Sequence, residues 1–181
     1  MAFLRAVNLG ARRRFPAADQ AAVTAAAGFR GVATYLATGN VRVEAATTDP
    51  REVQRRLEQA YAADRGFDVP VVVLPAAELR AVVAAGVEVE AARSVPPGRH
   101  HVSLLQEEPD PAAQAELVAA AAEGEQVVVR GRAVHLLIGE SYHLARVDGA
   151  RVERLLGVST NRTFAVLTTL AQRWCPEPPA G

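Results

Sequence analysis

The stretch AVNLGARRRFP, residues 6–16, holds an asparagine, a glycine and three consecutive arginines just ahead of a proline. Asparagine and glycine serve turns, and arginine offers a planar fork of N–H donors that fits phosphate and carboxylate oxygens. Ahead of a helix, such a stretch makes an anion pocket, because a helix N-terminus presents free N–H groups. A second stretch of this kind is ATGN, residues 37–40. Gly39 and Asn40 read as a two-residue hairpin turn with glycine first, the type II′ pattern. Ordinary turn chemistry accounts equally for Asn8, Gly10 and Gly39, and simple solvation accounts for an arginine run in a loop.

Other chemistry-bearing residues are sparser. Ser141, Tyr142, His143 and Arg146 share the segment ESYHLARVDG, residues 140–149. A serine and a histidine two apart suggest a nucleophile and its base. No G-x-S-x-G turn accompanies them, and a polar loop capping a helix explains them more simply. His100 and His101 are neighbours on an expected strand, where successive side chains face opposite ways, so they do not share a metal. No HExxH or Cys/His spacing occurs, and neither a metal nor a cofactor is expected. STNRTF, residues 159–164, reads as N-cap residues before the last helix, with Arg162 a structural donor or an anion contact. All the cations are arginine; the chain has no lysine for Schiff-base or P-loop chemistry.

Composition narrows the setting. Half of the 181 residues are hydrophobic but only 5% are aromatic, so the core must rest on Ala, Val and Leu. Twenty cations balance twenty anions, and no global field draws the chain to nucleic acid or a membrane. One cysteine, Cys175, excludes an internal disulfide framework. The start MAFLRAVNLG lacks the pattern of a signal peptide, and no apolar run is long enough for a bilayer. A cytoplasmic protein without a membrane partner is expected; the oligomeric state is left open.

The elements that must position these residues follow from periodicity. AFLRAVNL reads as a strand and PAADQAAVTAAAGF as a helix that starts at Pro16 and stops at Gly28. GVATYLATGNVRVEA is a hairpin, and DPREVQRRLEQAYAADRG is a helix capped by Asp49 and ended by Gly66. DVPVVVLP is a strand. That order, βαββαβ, predicts a ferredoxin-like unit over residues 1–75. A helix and linker are expected over 76–98, with AAELRAVVAAG as the helix. A second α+β unit over 99–175 repeats βαββα and ends in a helix, TFAVLTTLAQRW, in place of a fourth strand. Residues 176–181 read as a disordered tail.

In the ferredoxin-like order the loop after the first strand and the hairpin after the second lie on one edge of the sheet. Asn8, Arg12, Arg13, Arg14, Thr38 and Asn40 then surround one concavity beside a helix N-terminus. Arg5, Arg42 and Glu44 project from the helix-free face, which reads either as a surface that packs on the second half through an Arg5–Glu44 type of pair or as a binding platform. The third strand lacks the stacking aromatics of an RNA-recognition sheet.

The segments FLRAVNLG, TYLATGNVRV, GFDVPVVV and LLGVSTNRTFAVLTTLA together resemble the bacterial domain of unknown function (DUF) 1697 family, over nearly the whole chain. The resemblance implies a two-part α+β protein with a ferredoxin-like first unit, and implies no reaction. It points to Arg5, Asn8, Gly10, Gly39, Asn40 and Arg162, which stand where the family has the same residue types. Departures fall in the second half. Ala145 and Arg146 replace a serine and a lysine of the family, and Thr163 and Phe164 replace an asparagine and a tryptophan. Arginine does not substitute for a titrating lysine, nor alanine for a hydroxyl nucleophile.

Taken together, the sequence favours a small-anion or phosphate-ligand binding protein with a cleft between two α+β units. Its candidate ligand-binding residues are Arg5, Asn8, Gly10, Arg12, Arg13, Gly39, Asn40, Arg146 and Arg162. One alternative is a phosphoryl or acyl-phosphate hydrolase by analogy with acylphosphatase, an arginine holding phosphate and Asn40 placing water. Nucleic-acid binding through the arginines is a further alternative, disfavoured by the zero net charge and scarce aromatics.

Overall fold

The computed structural model describes residues 1–8, 13–139 and 145–176. The chain divides into two compact units, Met1–Ala76 and Ala77–Gly181. The first contains β1 (Ala2–Leu4), α1 (Ala17–Ala26), β2 (Arg30–Tyr35), β3 (Asn40–Glu44), α2 (Pro50–Arg65) and β4 (Val71–Val73). Its four strands lie in the order β2-β3-β1-β4 with every neighbouring pair antiparallel. This is the ferredoxin-like arrangement that the element order predicts.

The helix α2 shows how local sequence dictates this plan. The Asp49 carboxylate accepts a hydrogen bond from the Arg51 amide at 2.9 Å, Pro50 starts the first turn, and Gly66 ends the helix in the left-handed region at φ 71°. Its stripe of Val53, Leu57 and Tyr61 is buried in a core shared with Leu4, Val41 and Val71 of the sheet. The Tyr61 hydroxyl meets Thr24 Oγ1 of α1 at 2.6 Å, and its ring stands edge-on to Phe15, with centroids 5.1 Å apart. Burial pushes the Tyr61 phenol up to about 12, so it remains a neutral hydrogen-bonding group.

After α3 (Ala76–Ala91), the second unit runs β5 (Arg99–Leu105), α4 (Pro111–Ala119), β6 (Glu125–Arg130), β7 (Ala133–Ile138), α5 (Gly149–Leu156), β8 (Ser159–Thr163) and α6 (Phe164–Trp174). Its strands are ordered β6-β7-β5-β8, again antiparallel throughout. The unit repeats βαββαβ in full. α4 starts as α2 does, with the Asp110 carboxylate accepting from the amides of Ala112 and Ala113 around Pro111. No helix among the described residues is long and apolar enough to cross a membrane.

Several elements depart from their sequence expectations. STNRT is the fourth strand rather than a set of caps, with Arg162 opposite Val102 and Asn161 opposite Ser103. Its polar side chains are satisfied within the sheet: Asn161 lies 3.1 Å from His101 Nδ1 and donates to Ser103 Oγ at 3.1 Å. α3 continues through Gly86 to Ala91, because the bare glycine surface seats the Phe164 ring. α4 stops at Ala119, short of Gly124. β1 stops at Leu4, since Ala6 and Asn8 take φ values of 54° and 57° that no strand allows. The β2–β3 connection is a four-residue loop, 36–39, rather than a two-residue turn, and Asn40 opens β3. Glu44 pairs with Arg42 at 2.6 Å rather than with Arg5.

Candidate functional site

In the first unit the β1–α1 loop, the β2–β3 loop and the approach to β4 lie on one edge of the sheet, and side chains tie them together. Asn8 is the central tie. Its Oδ1 accepts from the Phe15 amide at 2.9 Å, and its Nδ2 donates to the Phe15 carbonyl at 3.0 Å and to the Ala37 carbonyl at 2.5 Å. Its own amide donates to the Arg13 carbonyl at 2.7 Å. One asparagine thus closes the neck of the β1–α1 loop and fastens it to the neighbouring loop. Asparagine suits this place because it tolerates the left-handed φ and carries both donor and acceptor.

Arg13 ties the third segment. Its Nη2 donates to the Asp68 carbonyl at 2.5 Å, and its guanidinium carbon lies 4.8 Å from the Phe67 ring centroid. Gly39 donates no side chain but is required: a Cβ there would fall 2.6 Å from the Leu4 Cβ, and its carbonyl accepts from the Leu4 amide at 2.8 Å. Asn40 is fully buried, and its Nδ2 donates to the Tyr35 carbonyl at 2.8 Å and to Thr38 Oγ1 at 3.1 Å. Arg5 follows β1, its amide donating to the Pro70 carbonyl at 2.8 Å. Arg14 is exposed beside these ties. Gly10 and Arg12 lie outside the described residues, as do Ser141, Tyr142 and His143. The edge therefore brings together Asn8, Arg13, Gly39 and Asn40 of the predicted residues.

Backbone strain gathers on the same edge. Among the described residues, the non-glycine positions with positive φ are Ala6, Asn8 and Leu36, at 54°, 57° and 58°. Leu36 is half exposed as well. Ala6 and Leu36 have no side-chain hydrogen bond to offset this conformation, which costs on the order of 1 kcal/mol or more each.

The two predicted residues of the second unit do not share a place. Arg146 is exposed, and its amide donates to Glu125 Oε1 beside β6, one edge of the sheet. Ala145 packs against the apolar core of α4, α5 and the sheet. Arg162 sits on β8, the opposite edge, buried, with Nη1 donating to Thr160 Oγ1 at 2.8 Å and to the Asn161 carbonyl at 2.7 Å. Burial holds its guanidinium down at about 10, still charged at neutral pH.

A polar chain in the second unit was not legible from spacing. Glu90 Oε1 lies 3.0 Å from His100 Nδ1, and His100 Nε2 lies 3.0 Å from His135 Nδ1. Arg93 braces Glu90 through Nε and Nη2 at 2.9–3.0 Å, and Phe164 stacks on the His100 ring at 4.4 Å. A carboxylate can only accept here, so His100 Nδ1 carries a proton and, in the neutral ring, Nε2 accepts from His135 Nδ1–H. His135 Nε2 is then a buried lone pair without a partner among the described residues. Burial lowers both rings, against the pull of Glu90 on His100; His135 comes down to about 4, with His100 and Arg130 adding to the burial effect. The adjacent pair His100–His101 was the one available signal. Its partners lie too far along the chain to be read as a motif. No group of three or more His, Cys, Asp or Glu among the described residues is placed to hold a metal ion.

Comparison with solved structures finds neighbours of the same fold. The conserved bacterial protein SP0830 from Streptococcus pneumoniae superposes with a TM-score of 0.73 at 16% identity, covering 94% of this chain and 95% of that one. A comparison with curated proteins finds no match. The family model for the protein of unknown function DUF1697 matches residues 1–135, three quarters of the sequence and all of the first unit. The chain belongs to the DUF1697 family.

Proposed function

We propose that this protein binds a small anionic ligand, through a phosphate or carboxylate group, at the β1–α1 edge of its first unit. The observation that carries this reading is the gathering of Ala6, Asn8 and Leu36, the non-glycine left-handed residues among those described, on that one edge. Strained backbone persists where the surrounding structure over-determines it, and it concentrates at ligand sites. The chemistry beside it fits an anion. α1 begins at Ala17 after Pro16, which offers no side-chain cap, and its first-turn amides have no side-chain partner among the described residues. The one acid of that turn, Asp19, is answered by Arg65 at 3.0 Å. Arg14 forms no ion pair with another described residue, and Arg12 precedes it in the sequence. A cytoplasmic setting goes with the reading, since the sequence has one cysteine, Cys175, and disulfide-rich sequences belong to oxidising compartments.

The test is a calorimetric and amide-shift titration with inorganic phosphate and with succinate at constant ionic strength. Binding is expected to perturb residues 13–16 and 36–40 and to weaken in Arg12→Gln and Arg14→Gln. Leu36→Gly should raise thermal stability by relieving strain while loosening the ligand's grip. Titrations that leave these amides still, or bind equally in both arginine variants, remove the proposal.

A further inference from the structure

We propose that the first unit carries a separate ligand site at the other end of its sheet. It is a cleft of about 420 Å3 that takes a small molecule by a carboxylate or phosphate head group held between Arg56 and Arg30. The pairing of β2 with β3 fixes its place: Tyr35 faces Asn40 at the end near Asn8, and Arg30 faces Glu44 at the end where the cleft opens. Its volume lies within the range of about 300–1,000 Å3 usual for small-molecule sites.

Arg56 is already set in position. Its Nη2 donates to the carbonyl of Ala27, just past α1, at 2.9 Å, and its guanidinium carbon lies 4.6 Å from the Phe29 ring centroid. The stack and the hydrogen bond hold the plane of the group, so little side-chain freedom is left to lose on binding. A guanidinium has five N–H donors, and capping Ala27 spends one. A complete two-donor edge stays open, the geometry that matches a pair of anionic oxygens. Arg30 lines the same cleft, is exposed, and its guanidinium has no hydrogen bond or ion pair to another described residue.

The only acid of the lining does not cancel this charge. Glu44 lies 2.6 Å from Arg42 Nη2, so its carboxylate is already answered. Two arginines then face one neutralised acid across a space open to solvent, an arrangement that selects anions. Apart from Phe29, which lies under Arg56, the rest of the lining is small: Gly28, Ala45 and Ala46 leave room for the body of a ligand.

Amide-shift titration of the full-length protein tests the site, with inorganic phosphate, succinate and chloride added in turn at constant ionic strength. Saturable shifts are expected at Gly28, Arg30 and Ala46. Affinity should fall tenfold or more in Arg56→Gln and severalfold in Arg30→Gln. A response to phosphate alone or to succinate alone supports the site and names its head group. Arg30→Gln alters an exposed residue, so it keeps the test decisive if Arg56→Gln does not fold. The proposal is overturned if no saturable shift appears, if chloride gives the same response, or if both variants bind as the parent does. Shifts confined to residues 13–16 and 36–40 overturn it while supporting the site beside Asn8.

Discussion

His100 Nε2 and His135 Nδ1 share one hydrogen bond of 3.0 Å inside the second unit, and a proton added to either ring puts a hydrogen on His135 Nε2. A proton on His100 makes Nε2 a donor, and His135 must then accept at Nδ1 and carry its own proton on Nε2. That atom is buried without a partner among the described residues. A second proton would place two cations in contact with Arg93 and Arg130 nearby.

Acid should therefore destabilise the second unit through this pair. In the unfolded chain each ring titrates near 6.5, whereas folded His135 resists protonation down to about 4. Between those values the unfolded state binds more protons, so stability is complete above the unfolded pKa and falls as pH drops toward 4. At about 1.4 kcal/mol per pH unit, His135 accounts for a loss of about 3 kcal/mol, and His100 adds to it in the same direction. Urea unfolding compared at neutral and acidic pH measures the loss. It should be smaller in His135→Leu than in the parent, and equal losses in the two proteins would exclude His135 as the sensor.

Asn8→Ala should be among the most damaging changes in the first unit outside its apolar core. It deletes the bonds to the Phe15 amide, the Phe15 carbonyl and the Ala37 carbonyl, each worth about 1 kcal/mol net. It also leaves alanine at φ 57°, where about 1 kcal/mol of strain remains. A loss of about 2–4 kcal/mol is expected by denaturant unfolding. Asn8→Gly keeps the backbone at ease and should recover about 1 kcal/mol of it. An alanine variant as stable as the parent would mean that the loop neck is closed by other bonds.

How far the sequence could be read depended on the range of the interaction. α2 was legible because Asp49, Pro50 and Gly66 act within one turn of the ends they set, and its apolar stripe repeats at helical spacing. The repeated strand order followed from such local signals, and with it the placing of Asn8 beside the β2–β3 loop. β8 was hidden because its polar residues are satisfied by strand β5, which lies some sixty residues earlier, as the His101–Asn161 separation of 60 shows. The clasp at Asn8 was half visible: its turn character shows in the sequence, but its carbonyl partner on Ala37 does not. Glu90, His100 and His135 form a chain only after α3, β5 and β7 have packed, and no periodicity encodes that.

Gly86 offers a test in which local preference and packing oppose each other. Alanine is the better helix former by about 1 kcal/mol, and Gly86 stands within α3, so propensity alone favours Gly86→Ala. The added Cβ would fall 2.1 Å from Phe164 Cε2 and 2.6 Å from Cζ, too close for any real contact. The ring has little room to withdraw, because it lies nearly parallel to His100, at 24°, with centroids 4.4 Å apart. Overpacking of this kind costs about 1–3 kcal/mol or more, which outweighs the helical gain. Gly86→Ala should thus lower stability, and pairing it with Phe164→Leu should restore part of the loss by removing the ring atoms that clash. A single variant more stable than the parent would show that Phe164 moves aside freely, and that its stack on His100 places no constraint on the Glu90–His100–His135 chain.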